Sequence, residues 1–439
     1  MNMNACSAGF ARLEITPPLG VRIGGYYVVR ETKGVLDPIY ARAIAFREGD
    51  KTAVMIVCDL LGMYGPAAYE WPPMIAEKLG LPKEAVFLCH THSHTTPVVT
   101  SYREPHDDQY DAWLYRRLCD VAQLAINDLK PVTDVRASET ATEGIAYVRR
   151  YYMQDGTLRT NPPYSSPEQR AEIKEPAHEA DRSLRLVRIL REDGPELILV
   201  NYQMHPDNIG GELISADYPG AVCRRVEELA PGSHAVFMNG AEGQMVATNR
   251  ITPTKVFNKY TRAMSLGTSL AEKAMEMYAS APSTGMSGLS FGQKPVHAKT
   301  KRGLIPLSEA ERIIELHEAG KNAEIHPIIS TALSAQAYLI RELEKYEQDY
   351  IDFPVSAIAF CGVAFVGLPG EPFNEVGLQV RGNSKFPMTF IACQTNGCYG
   401  YFPIARAYDE GGYEPHNTRY VKGTAEQLAD TADELLAEL

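Results

Sequence analysis

Short, continuous apolar runs recur along the chain, and each of them stops abruptly at polar residues. The runs are too short for helices and rich in β-branched residues, so they predict strands that are buried on both faces. Six runs stand out: TAVMIVCDLLG (52–62), AVFLCHTHSH (85–94), ELILVNYQMHPDN (196–208), HAVFMNGAEGQ (234–244), VSAIAFCGVAFVGLPGE (355–371) and MTFIACQTNGCYGY (388–401).

Helical patterns lie between these runs. In Tyr110–Leu129, residues Leu114, Leu118 and Val121 fall on one stripe, as expected for an amphipathic helix. Strands covered by helices on both faces predict an α/β fold in which layered mixed sheets are flanked by helices. The other predicted helices are Pro219–Ala230, Ala263–Ala279, Leu307–Ala319, Ser330–Tyr346 and Thr424–Leu436.

The chain has 439 residues, and no tandem repeat or low-complexity tract divides it. Large α/β enzymes often keep this much chain in one folded unit. We therefore predict a single domain over residues 1–439, with a helical segment at about residues 305–348 within it.

Composition and charge narrow the class of protein. Apolar residues make up 45% and charged residues 22% of the chain, which excludes a disordered chain or a disulfide scaffold. Lys and Arg number 43 against 55 Asp and Glu, so no basic surface is available for nucleic acid or anionic lipid. We predict a small-molecule substrate, with neither nucleic acid nor membrane as a partner; a homo-oligomer is compatible with the sequence.

The cysteines and the N-terminal segment bear on the compartment. The eight cysteines are scattered without a CxxC pair, and several lie in apolar runs, as buried thiols of a reducing compartment do. The first residues lack the basic and apolar regions of a signal peptide, and the apolar stretch Val355–Leu368 is too short for a bilayer span. These features predict a cytoplasmic protein.

The strongest chemical motif is the segment His90-Thr91-His92-Ser93-His94. On an extended segment, period-2 alternation puts all three imidazoles on one face, where an adjacent pair is close enough to share a metal ion. The alternative is a solvated loop that happens to be rich in histidine. The spacing alone does not decide which of the three binds.

Other strand ends carry further candidates. His205 closes an apolar run, where it is either a third ligand or an ordinary structural histidine. Glu371 follows a buried run, where its carboxylate could bind a metal or cap the helix that begins near Asn374. Arg149 and Arg150 could clamp a carboxylate, although paired arginines more often form a solvated face.

Two common classes of site are disfavoured. The segment 239–243 is rich in glycine but lacks the GxxxxGK[ST] pattern of a phosphate loop. A GxSxG elbow is also lacking, which argues against a standard serine hydrolase.

Several of these segments occur together, and in the same order, in one known family. The chain resembles the catalytic domain of the neutral/alkaline non-lysosomal ceramidases. The matching segments are Gly9–Pro17, Gly24–Tyr26, Ala41–Ala43, the HTHS run at His90–Ser93, His205, Ile214–Gly220, Asn239–Gly240, Pro369–Glu371 and the glycine-rich turn that ends at Tyr401.

The resemblance implies a fold like that catalytic domain and a Zn²⁺ site formed by His90, His205, Glu371 and Tyr401. It further implies catalytic roles for His92, which would face the substrate, and for Arg149. Substrate-binding residues would be Tyr26, Asp217 and Asn239.

Two departures from the family change the expected chemistry. Val246 stands where the family has its nucleophilic serine, and the chain leaves no room for the family's immunoglobulin-like C-terminal domain. We therefore expect a zinc-dependent hydrolase that cleaves an amide or ester of a small soluble molecule by metal-activated water. Ser93 and Thr248 are the less favoured alternative nucleophiles, and His94 is an alternative metal ligand.

Two other functions stay open on the sequence. One is a zinc-dependent lyase or glycoside-processing enzyme that acts on a sugar or polyol, since tyrosines near the predicted site would suit sugar stacking. The other is a catalytically inactive binding protein, which the missing serine makes conceivable.

Overall fold

The computed structural model describes residues 6–26, 28–100, 106–254, 258–345 and 348–439. Within these ranges the strands are β1 (Ser7–Glu14), β2 (Arg22–Ile23), β3 (Arg30–Glu31), β4 (Gly34–Val35), β5 (Tyr40–Glu48), β6 (Lys51–Cys58), β7 (Val86–His90), β8 (Lys130–Ala141), β9 (Tyr147–Val148), β10 (Arg150–Met153), β11 (Leu158–Thr160), β12 (Ile173–Pro176), β13 (Ser183–Arg191), β14 (Leu197–Tyr202), β15 (Leu213–Ile214), β16 (His234–Asn239), β17 (Met245–Val246), β18 (Ser283–Gly285), β19 (Leu289–Lys299), β20 (Tyr350–Phe360), β21 (Val363–Gly367), β22 (Glu371–Pro372), β23 (Met388–Ala392) and β24 (Tyr401–Phe402).

The helices in the same ranges are α1 (Gly65–Leu79), α2 (Asp108–Asn127), α3 (Pro167–Ala171), α4 (Asp217–Leu229), α5 (Lys259–Glu276), α6 (Leu307–Glu318), α7 (Asn322–Ile325), α8 (Ser330–Leu343), α9 (Asn374–Asn383), α10 (Ala405–Glu410), α11 (Tyr413–His416) and α12 (Thr424–Glu438).

Two mixed sheets form the centre of the molecule. The larger runs in the order β16-β14-β13-β8-β1-β5-β6-β7, with β18 also paired to β8, and the smaller runs in the order β19-β20-β21-β23. Most pairs are antiparallel, but β6 with β7, β14 with β16 and β21 with β23 are parallel. The predicted α/β fold of layered mixed sheets is confirmed.

Alternation along the strands explains how the layers pack. In β5, Ile44 and Phe46 point into the core between the two sheets, where Phe46 stacks against Phe365 of β21 with ring centres 5.9 Å apart. Ala43 and Ala45 point the other way, into a core shared with α1 and α2. Because side chains alternate with period 2, one strand serves two cores.

The outer layers are helical. Helices α1, α2, α4 and α5 cover the outer face of the larger sheet, and α9 and α12 cover the outer face of the smaller one. The predicted helical segment at about 305–348 corresponds to α6, α7 and α8, which form a small core of their own around Ile313 and Ile340. Residues 346 and 347 of that prediction lie outside the described residues. Across the described chain, no helix combines the length and apolar character needed to cross a bilayer.

The carboxyl ends of several strands meet at one place. Asn239, the last residue of β16, donates from its side chain to the Thr91 carbonyl just after β7 at 3.1 Å. Its own carbonyl accepts from the amide of Cys393, just after β23, at 2.9 Å. Edge strands of the larger sheet and the end of the smaller sheet are thereby tied together, and the polar strand ends come within reach of one another.

Packing between α4 and α5 gives a test of the fold. A Cβ at Gly267 of α5 would lie 2.5 Å from the Ala221 Cβ and 2.5 Å from the Tyr218 carbonyl oxygen. We expect Gly267→Ala to lower the free energy of unfolding by about 1–2 kcal/mol, because overpacking exceeds the gain in helix propensity. At Gly382 of α9 nothing lies within 4 Å of the added Cβ. Gly382→Ala should therefore raise the free energy of unfolding by up to about 1 kcal/mol in the same denaturant titration.

Candidate metal centre

The histidine-rich loop begins where β7 ends. The amides of Thr91 and His92 continue the hydrogen-bond ladder to the carbonyls of Cys58 and Leu60, both at 2.9 Å. His92 then adopts a positive φ of 72°, which is uncommon outside glycine and turns the chain. Its Nδ1 lies 2.7 Å from the Leu61 carbonyl oxygen, and its Nε2 lies 3.5 Å from Glu371 Oε2. A carbonyl acceptor at Nδ1 favours the tautomer that leaves Nε2 free to bind a metal.

His205 faces the same point from the loop after β14. Its Nε2 lies 3.2 Å from Glu371 Oε2 and 3.4 Å from the Tyr401 hydroxyl. Its Nδ1 lies 2.6 Å from Glu242 Oε2 and 2.9 Å from the Glu242 carbonyl oxygen. The hydrogen bond to the Glu242 carbonyl, with the Glu242 carboxylate beside it, orients the ring so that Nε2 points at Glu371.

A short strand pair explains why Glu371 and Tyr401 are neighbours. Glu371 of β22 and Tyr401 of β24 stand in register in a parallel pair, and the Glu371 amide donates to the Gly400 carbonyl at 2.9 Å. Burial opposes ionisation of Glu371, but His92 and His205 hold the pKa of its carboxyl well below the usual range. Burial, with the Glu371 charge beside it, raises the pKa of the Tyr401 phenol well above its usual value.

Two overlapping groups of side chains have ligand atoms within 4.8 Å of one another. One comprises His92, His94 and His205, and the other comprises His92, His205, Glu242 and Glu371. His94 is buried, and neither of its ring nitrogens has a hydrogen-bond partner. Imidazole nitrogens and carboxylate oxygens are the donors that zinc takes in proteins, and the orphaned imidazole fits the same chemistry.

His90 is not in either group. It is the last residue of β7, and its Nδ1 lies 2.8 Å from the Gln394 carbonyl oxygen. Burial lowers its pKa to about 4. The sequence prediction assigned a metal ligand to His90 and a substrate contact to His92. The geometry instead brings His92 to His205 and Glu371, because the chain is still in the strand at His90 and leaves it only at His92.

Arg149 lies behind Tyr401 rather than in the cavity. Its Nε donates to Glu414 at 2.8 Å, its Nη2 donates to the Gly243 carbonyl at 2.6 Å, and its guanidinium lies 5.3 Å from the Tyr401 ring centre. Arg150 is completely buried and shares the Glu414 carboxylate at 3.0 Å. The two arginines are thus neither a solvated face nor a substrate clamp, since the charges are used inside the protein.

Two predicted substrate-binding residues have their polar groups engaged within the protein. Asp217 accepts from the backbone amides of Asn208 and Ile209 at 2.9 and 3.2 Å, and so holds the loop that follows His205. Asn239 ties strand ends together as described above, and its Oδ1 accepts from the Met204 amide at 3.2 Å. Both side chains shape the loops that carry the candidate ligands.

A cavity of about 470 Å³ opens above these groups. His92, His94, Glu371 and Tyr401 line its floor, and the predicted residue Tyr26 lies on its wall, hydrogen-bonded to Asp207. The remaining wall is rich in tyrosine, with an ion pair of Glu342 and Arg419 at 2.9 Å; the other tyrosines are Tyr64, Tyr69, Tyr350, Tyr399 and Tyr413.

The alternative nucleophiles Ser93 and Thr248 both lie away from the cavity floor. Val246 lies in β17, which pairs with Val148 and its neighbour in β9. The Ser93 hydroxyl donates to the Ser215 carbonyl at 2.8 Å, and the Thr248 hydroxyl accepts from Arg262 at 3.2 Å. Neither hydroxyl belongs to the described residues that line the cavity.

Glu242 is the residue that the sequence analysis missed. It lies three residues after the end of β16, close to a strand end like the other candidate residues, but the sequence presents it only as part of a glycine-rich loop without the phosphate-binding pattern. Its position after a buried strand was the feature that could have identified it.

No family model and no curated protein matches the sequence. Solved structures do match the fold. The neutral ceramidase from Pseudomonas aeruginosa aligns over 99% of this chain and 75% of its own, with a TM-score of 0.75 and 15% sequence identity. A ceramidase complexed with C2 aligns over 99% of this chain and 76% of its own, with a TM-score of 0.74 and 15% identity. The chain therefore has a neutral-ceramidase-like fold, as its sequence motifs predicted.

Proposed function

We propose that this protein is a zinc-dependent hydrolase that cleaves an amide or ester bond in a small substrate. One observation carries the proposal: Nε2 of His92, Nε2 of His205, a Glu371 oxygen and the Tyr401 hydroxyl converge on the floor of a cavity. In both histidines Nδ1 faces a fixed acceptor, which leaves Nε2 for the metal. These four residues would hold the ion.

The side chains around the four proposed ligands would have different roles in the reaction. A zinc ion held by these residues would act as a Lewis acid on the scissile carbonyl and would lower the pKa of the attacking water. His94 lines the cavity; neither of its ring nitrogens forms a hydrogen bond, and its Nδ1 lies 4.0 Å from Asp207. It would accept and return the proton. Burial, together with His92 and His205, lowers the pKa of His94 well below its usual value, so the ring is neutral at pH 7. Arg149 would hold Tyr401 in place from behind.

The substrate is inferred from the cavity. Its volume of about 470 Å³ suits a compact molecule, and its tyrosines offer both flat surfaces and hydroxyls. The similar structures are ceramidases by name, but a 15% identity carries no substrate across. We propose a short amide or ester rather than a long-chain ceramide, with attack by water since Val246 carries no nucleophile.

The proposal is tested by a panel of short amides, short esters and long-chain ceramide, assayed with and without chelator. We expect turnover of a short substrate that chelation abolishes and zinc restores. Turnover of the long-chain ceramide alone would contradict the proposed substrate. If the zinc-loaded protein turns over none of these substrates, the result would favour the alternative hypothesis of a catalytically inactive binding protein.

The choice between neighbouring histidines gives a second test. We expect His92→Gln to lose zinc and at least about 100-fold in rate, because one ligand is removed. His90→Gln should keep zinc at close to one ion per chain, since His90 is not among the side chains whose ligand atoms converge with those of His205 and Glu371. Metal analysis of both purified variants decides this. Zinc lost from His90→Gln and retained by His92→Gln would restore the assignment drawn from the sequence.

Zinc binding should depend on pH in a defined direction. Burial lowers the pKa of His205, but Glu242 and Glu371 raise it to about 9, so the metal-free imidazole carries a proton at pH 7. Zinc requires the neutral ring and must displace that proton. We expect zinc affinity to rise between pH 6 and pH 9, with proton release on binding. Calorimetry in buffers of different ionisation enthalpy measures both, and an affinity independent of pH would contradict the set of ligands.

The role given to His94 is tested separately from metal binding. We expect His94→Gln to lower kcat by about 10²–10⁴-fold, the usual contribution of a general acid–base group, while zinc stays bound. Rate and zinc content are measured on the same preparation. Loss of zinc from this variant would show that His94 is a ligand, and an unchanged rate would remove it from the reaction.

A further inference from the structure

Glu242 occupies a fixed position between two of the candidate ligands. The next residue, Gly243, runs directly against the segment that carries Glu371: its amide donates to the Pro372 carbonyl at 2.9 Å. A Cβ at Gly243 would lie 2.5 Å from the Glu371 carbonyl oxygen. The amide of Met245 closes the turn onto the Glu242 carbonyl at 2.8 Å. The Glu242 side chain is therefore held beside His205 by a rigid turn.

The carboxylate of Glu242 is deeply buried, and among the described residues its ion-pair partner is His205. Its exposed fraction is 0%, and its oxygen lies 2.6 Å from His205 Nδ1. No lysine or arginine among the described residues forms an ion pair with it. Glu371, a second carboxylate with 6% exposure, lies in the same group of ligand atoms. Burying a charge is costly unless an opposite charge offsets it.

One divalent cation would offset both carboxylates while the imidazoles stay neutral. We propose that Glu242 is a positioning residue of the metal centre, which holds His205 through Nδ1 and supplies the second negative charge that the cation balances. This inference rests on the proposed function, because it concerns the same site. The inference adds Glu242 to the proposed site. Glu242 would not bind the metal itself but would act through the ligand His205.

The charge of Glu242 is what distinguishes this role from a purely structural one. The backbone carbonyl of Glu242 lies 2.9 Å from the same Nδ1 and can keep the ring oriented without the side chain. A neutral replacement therefore removes the charge and leaves the orientation. A carboxylate behind a metal-bound histidine also makes the ring a stronger donor.

The test measures zinc affinity by competition with a chromophoric chelator and needs no substrate. We expect Glu242→Gln and Glu242→Leu to bind zinc about 10–100-fold more weakly than the wild type, the usual effect of removing such a partner. Asp181→Asn is the matched control, because Asp181 is also a buried carboxylate and pairs with Arg381 at 2.6 Å. Its zinc affinity should stay within about twofold of the wild type.

Each result has a defined meaning. Wild-type affinity in Glu242→Gln overturns the inference and leaves the proposed function standing. An equal loss in Asp181→Asn also overturns it, since the effect would then follow from general destabilisation. A wild-type protein that binds no zinc overturns the proposed function and the inference together. If Glu242→Leu fails to fold, the near-isosteric Glu242→Gln decides.

Discussion

Two buried carboxylates share one small space with three imidazoles, and the surrounding structure is organised to keep them there. Glu242 and Glu371 are 0% and 6% exposed, and His92 and His205 lie within 4.8 Å of both. Like charges in such a space repel strongly, because little water screens them. Protonated imidazoles, or a cation between the carboxylates, would offset this repulsion. The tight loops around the site hold these charged side chains together against this repulsion.

The loops meet this constraint at a cost in backbone conformation. Non-glycine residues with positive φ cluster around the site: His92, Asp217, Gln394 and Asn396 have φ between 51° and 72°. Such conformations persist only where the surroundings enforce them. Here side chains do so: Asn396 accepts from the Leu88 amide at 3.0 Å, and Asp217 holds the loop after His205. The rigid two-sheet core lets strand ends bear this strain.

The layered fold was predictable from the sequence because apolar runs and helical stripes are local patterns. For the site, the sequence indicated which segments come together but not which of their side chains face one another. In an extended strand, alternate side chains share a face, so the sequence pattern does not distinguish His90, His92 and His94. The turn at His92 that separates them depends on contacts with a loop that is distant in the sequence. Likewise, the sequence around Arg149 does not indicate that its partner is Glu414, which lies 265 residues away along the chain. From the sequence, a single glutamate in a glycine-rich loop such as Glu242 is expected to be exposed to solvent. In the folded protein it is completely buried.

The fold shared with ceramidases sets where the chemistry takes place, and the side chains set what it is. At 15% identity the similarity establishes the fold alone, so the chemistry of the site has to be argued from this chain's own side chains. Where imidazole and carboxylate donors converge beside a cavity, a bound metal ion would let water act as the nucleophile, so hydrolysis there would require no serine. The buried donor atoms of His92, His205, Glu242 and Glu371 lie close enough together to hold one metal ion. Burial of two carboxylates destabilises the fold unless opposite charge offsets them, so a cation bound here would stabilise the protein as well as complete the site.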